Sequence, residues 1–116
     1  MLLKTINLFA LILMLIITHK TKAATQEFRL TLKNHIFTPS EIIIPANTKV
    51  KLLIINQDNT IEEFDSFDLN REKVLFPKKI GRVFIGPLLP GRYEYFGEYF
   101  PHTARGIVIV EAKHVD

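Results

Sequence analysis

Two short segments hold the side chains best suited to chemistry. Glu62-Glu63-Phe64-Asp65-Ser66 sets carboxylates at 62, 63 and 65, and Glu98-Tyr99-Phe100-Pro101-His102 adds a further carboxylate and an imidazole. Carboxylates with one imidazole form an oxygen-rich donor set of the kind that takes Fe(II), Fe(III), Mn(II) or Cu(II). The chain has no cysteine. It therefore offers no thiolate for Cu(I) and cannot form a disulfide. There is also no Ser/His/Asp or Cys/His set at a strand-to-helix turn, so a hydrolytic enzyme has no support. Taken singly, Glu63 and Asp65 read better as solvated acids near Arg71 and Lys73 than as ligands. His102 follows Pro101 in a turn, where a histidine is often merely exposed. His35 lies in an early loop and reads as a capping or surface residue.

These residues belong to a chain built for export. Lys4 precedes Ile6 to Ile17, an apolar run broken only by Asn7. His19, Lys20 and Lys22 follow, and Ala23 offers a small residue for cleavage. That three-part order is a secretory signal peptide over residues 1–23. The run falls short of the ~20 residues a spanning helix needs. Export places the mature chain, residues 24–116, in the periplasm or outside the cell, with no integral membrane segment. Losing Lys4, Lys20 and Lys22 brings fifteen basic residues to parity with the twelve acids. The basic character of the precursor is thus no argument for a nucleic-acid or anionic-membrane partner.

The mature chain reads as strands separated by turns. Phe28, Leu30 and Leu32 alternate with Arg29, Thr31 and Lys33, a half-buried strand of period two. Asn34 to Pro39 interrupts it as a loop or edge, since proline cannot donate to a ladder. Further strands fall at Glu41–Pro45, Val50–Ile54, Lys73–Phe76, Arg82–Ile85 and Arg92–Phe96. Gly106–Glu111, dense in β-branched residues, reads as a central strand. No segment keeps a helical period. Seven or eight short strands at this spacing predict an all-β antiparallel sandwich, wound as a Greek key. Tyr93 and Tyr95 share one strand face and read as core, whereas Tyr99 and Phe100 fall where the chain turns and form a candidate docking patch.

Four pieces of this chain, in order, resemble cupredoxin-like domains. Phe37-Thr38-Pro39-Ser40-Glu41-Ile42 matches their F-x-P-x-x-I loop, and Pro45-Ala46-Asn47-Thr48-Lys49-Val50 the turn that follows. Leu52 to Asn56 matches a strand ending in asparagine. Gly91-Arg92-Tyr93-Glu94-Tyr95 and Arg105 to Val110 match the two closing strands. The resemblance spans residues 24–116. It places the four ligands of a blue-copper centre near Glu63, at Gly97, at Phe100 or His102, and at Ala104. At most one of them survives, which argues against a copper electron carrier.

A narrower resemblance is to the small periplasmic cupredoxin-like subunit of bacterial ferrous-iron uptake systems. Glu63-Phe64-Asp65-Ser66-Phe67-Asp68-Leu69-Asn70-Arg71-Glu72-Lys73-Val74 is similar throughout to a stretch of that family. Its C-terminal loop is echoed by Gly91 to Pro101, with Phe100 where the family carries histidine. The resemblance implies an accessory protein that works beside an iron permease and a copper-binding periplasmic partner. It also implies that Glu63, Asp65, Glu98 and His102 meet at one end of the sandwich as a non-blue site for iron or Cu(II). The alternative is a metal-free binding module that keeps the shell as an interaction surface.

Overall fold

The computed structural model describes residues 24–112. The expected signal peptide, residues 1–23, lies outside them. Nine strands form: β1 (Glu27–Lys33), β2 (Ile36–Thr38), β3 (Glu41–Pro45), β4 (Val50–Asn56), β5 (Glu62–Ser66), β6 (Arg71–Leu75), β7 (Ile80–Ile85), β8 (Gly91–Gly97) and β9 (Arg105–Glu111). They make two sheets, ordered β2-β1-β4-β7 and β3-β9-β8-β5-β6. The all-β sandwich is as expected, with two differences. Glu62–Ser66 is a strand paired on both sides rather than a loop. Two of the pairings, β1 with β4 and β3 with β9, are parallel. Parallel neighbours need a long crossover. Here β2 and β3 fill the crossover between β1 and β4, because the chain changes sheet after β2 and again after β3.

Period-two alternation turns one face of each sheet inward. Leu30, Leu32, Val50, Leu52, Ile54, Val83 and Ile85 come from the first sheet, and Ile42, Ile44, Phe64, Tyr95, Val108 and Val110 from the second. At the centre Phe64 stacks on Tyr95 with ring centroids 5.1 Å apart, and Phe37 meets Tyr95 edge-on at 5.4 Å. Burying a side chain such as Phe64 contributes about 3 kcal/mol. The Tyr95 ring lies over Gly106, where any Cβ would collide with it. Burial pushes the Tyr95 hydroxyl far above the ordinary tyrosine range.

One buried polar residue holds the approach to β5. Asn56, fully buried, donates from Nδ2 to the carbonyls of Thr60 (3.0 Å) and Leu75 (3.1 Å), and its Oδ1 accepts from the Asp58 amide (3.0 Å). Its side chain thereby ties β4 to β6 and shapes the loop that delivers Glu62. Asn56→Ala leaves the buried Leu75 carbonyl without that donor. Chemical denaturation of the variant should show a loss of about 2–3 kcal/mol.

Candidate functional site

The site forms where β5 and β8 meet at one end of the sandwich. Phe64 pairs with Gly97 and Asp65 with Phe96. Since Phe64 is in the core, Glu62 two residues earlier points inward too, while Glu63 and Asp65 point to the outer face. The chain then folds tightly between β8 and β9. Gly97 donates to the Ala104 carbonyl (2.8 Å), Glu98 to the Glu63 carbonyl (2.9 Å), and Ala104 to the Phe100 carbonyl (2.9 Å).

Inside this frame Glu62 is 1% exposed. Its Oε1 accepts from the amides of Glu63 (2.8 Å) and Tyr99 (2.9 Å), and its Oε2 has no partner. A Cβ at Gly97 would stand 2.5 Å from that Oε2 and 2.8 Å from the Ala104 Cβ. Glu62, Gly97 and Ala104 therefore converge on one point in the interior. The residue that reaches it is Glu62, the neighbour of the expected Glu63. The signal was present in the sequence, since Glu62 shares a strand face with Phe64.

Phe100 is covered as well. Its ring stacks on His35 with centroids 3.4 Å apart and planes 12° from parallel. Asn34 and His35 both adopt left-handed backbone conformations in the turn from β1 to β2. Asp58 holds that turn, its carboxylate accepting from the amides of Asn34 (2.7 Å) and His35 (3.0 Å). His35 Nδ1 lies 3.6 Å from the same carboxylate. A type 1 copper centre needs a thiolate, two imidazoles and a soft axial donor. Gly97, Phe100 and Ala104 supply no donor, so the interior does not fit blue copper.

The outer face gathers the other acids. Asp65, only 5% exposed, lies opposite Glu72 in the β5–β6 register, an unfavourable pairing of like charges. Glu98 is exposed and its carboxyl is raised above the ordinary glutamate range. The first cause is a hydrogen bond with the Asp65 side chain, followed by desolvation and the charges of Asp65, Glu63 and Glu72. Three of the four expected residues, Glu63, Asp65 and Glu98, are thus in electrostatic contact, joined by Glu72. His102 is exposed in the turn beyond Pro101, and the groups acting on Glu98 are all acids. Among the described residues, no three His, Asp or Glu side chains converge as a ready-made metal cage. Of the expected docking aromatics, Tyr99 is 52% exposed, whereas Phe100 is half-buried under His35.

The Glu98–Asp65 contact has a pH signature. A carboxyl whose folded pKa is raised contributes stability that is whole below the unfolded value and is lost as pH rises through the folded one. Glu98→Gln keeps a donor toward Asp65 at every pH. Its melting temperature should exceed that of the wild type near pH 7, and the gap should close toward about pH 4, near the ordinary glutamate value. Thermal melts across that range check this. A gap independent of pH contradicts the shared proton.

Comparison with known proteins agrees with this architecture. The family model for the cupredoxin-like domain matches residues 6–110. An uncharacterized protein of Rickettsia prowazekii (strain Madrid E) is 44% identical over 91 residues, which is 78% of this chain and 73% of that protein. Among solved structures, a copper binding protein in the apo form superposes with a TM-score of 0.67 at 19% identity, covering 79% of this chain and 93% of the other. The metal binding domain of the Streptococcus pneumoniae D39 Cu(I) exporting P-type ATPase CopA gives a TM-score of 0.65 at 13% identity, covering 79% and 91%. At such identities the structural likeness speaks for the fold alone. With the family model matched over nearly the whole chain and the fold to go with it, the chain belongs to the cupredoxin-like domain family.

Proposed function

We propose that this domain is a periplasmic accessory protein of iron uptake. It handles iron as cargo at a non-blue, carboxylate site formed by Glu63, Asp65 and Glu98, with Glu72 beside them and His102 as the available imidazole. The observation that carries the reading is the outer-face cluster, in which the strand register sets Asp65 opposite Glu72 and the Glu98 amide bonds the Glu63 carbonyl at 2.9 Å. Acids held this close repel one another, and a hard cation relieves that repulsion. Carboxylate donors favour Fe(III) over Fe(II), which suits holding iron while it is oxidised or passed on. The sequence resemblance supplies the setting: export to the periplasm, an iron permease as partner, and a copper-binding periplasmic protein beside it. Cu(II) is the other ion that fits such donors.

A second reading is a metal-free binding module that keeps the cupredoxin shell as a contact surface. It is favoured by Phe67 and Tyr99, which are 80% and 52% exposed.

Anaerobic calorimetric titration with Fe(II), and titration with Cu(II) and Mn(II), separates the two. The iron reading expects saturable binding without an intense blue colour, weakened roughly tenfold or more in Glu98→Ala or Glu63→Ala, the loss of about 1.4 kcal/mol or more. Binding no tighter than millimolar for every ion hands the function to the binding module.

A further inference from the structure

The outer faces of the two sheets carry opposite charge. On the first sheet the outward residues include Arg29, Lys33, Lys51 and Arg82, joined by Lys49 just before β4. Among the described residues the acid on that face is Glu27, already paired with Lys51 at 3.0 Å. The face is partly apolar. Its rows run Glu27–Lys51–Phe84 and Arg29–Leu53–Arg82. The Lys49 and Lys51 ammonium groups lie 4.9 and 5.5 Å from the centroid of the Phe84 ring, which is 43% exposed. Around the β6–β7 edge the face continues into a shallow groove of 560 Å³, lined by Lys49, Arg71, Lys73 and Arg82 with Glu72 as its acid. The second sheet presents Glu41, Glu72, Glu94 and Glu111, with Glu63 half-buried and Asp65 buried behind the same face, against Arg92 and Arg105. A mature domain that is neutral in sum is therefore strongly bipolar.

We propose that the outer face of the first sheet docks on an anionic phospholipid membrane. Lysines and arginines set around an exposed aromatic ring suit the headgroup region, where cations meet phosphates and a ring sits at the interface. The acidic opposite face is repelled by the same surface, so the dipole also orients the domain. The inference does not depend on the iron reading.

Residues 24–116 contain all nine strands and the whole described core, so the mature chain is the protein to test. It is floated with vesicles of phosphatidylcholine alone or of an equal mixture with phosphatidylglycerol, at rising sodium chloride. Binding is expected with the anionic vesicles only, falling with salt. Each lost charge should weaken it roughly fivefold, so Lys49→Glu with Arg82→Glu should weaken it by well over tenfold, while Glu94→Lys on the opposite face does not. Circular dichroism confirms that the variants remain folded. Several outcomes overturn the proposal: no binding at low salt, equal binding to neutral vesicles, or binding that survives the double reversal. So does tight calorimetric binding of inorganic phosphate alone, which would mark a soluble-anion site. Self-association that the same reversals abolish would instead assign the face to a second copy.

Discussion

A carboxylate in an apolar interior needs hydrogen-bond donors and room, and the architecture of the β5–β8 end follows from giving Glu62 both. The donors are the amides of Glu63 and Tyr99, on different segments. The Glu62 side chain therefore fastens the 98–104 loop to β5. The room comes from Gly97, the one residue type that leaves space beside Oε2, and from the small Ala104. In the arrangement expected of a copper-bearing cupredoxin, positions 97 and 104 carry sulfur donors. Here both are emptied and a carboxylate from β5 fills the gap. The soft centre is replaced by a carboxyl group held by backbone amides.

That replacement bears on what the outer face can do. Because Glu62 points in, Glu63 and Asp65 must point out, and the β5 register sets Asp65 against Glu72 with Glu98 overhead. Like charges so placed are unfavourable for stability. The proposed iron site gives that cost a use. The His35–Phe100 stack and the Asp58-held turn close the neighbouring surface, and of the acids at that end Glu98 is exposed, Glu63 half-buried and Asp65 buried.

Much of this was legible in the sequence. Alternation at Phe28–Leu32 and Val50–Ile54, the β-branched run Gly106–Glu111 and the Pro90-Gly91 turn were enough for the sandwich. β5 was not recognised as a strand, because Glu62, Glu63 and Asp65 have poor strand propensity and their pairing with β6 and β8 supplies what propensity lacks. Glu62 could have been placed inside from its spacing to Phe64, and was overshadowed by the more conspicuous Glu63. The parallel pairings and the Asp65–Glu72 opposition could not be read, since both depend on register between strands distant in sequence. The same holds for the charge segregation. Composition gives residues 24–116 equal numbers of bases and acids, and only the strand order sends most of the bases to one face and most of the acids to the other.

The exchange of a glycine for space and a carboxylate for a soft centre is most directly tested by a double-mutant cycle between Glu62→Ala and Gly97→Ala, read by equilibrium denaturation. The account predicts that Gly97→Ala alone is destabilising by about 1–3 kcal/mol through overpacking against Oε2. It further predicts that most of this cost vanishes when Glu62 is alanine, a coupling of at least about 1 kcal/mol. Additive effects of the two substitutions would show that the carboxylate does not occupy the space at Gly97 and would contradict the account.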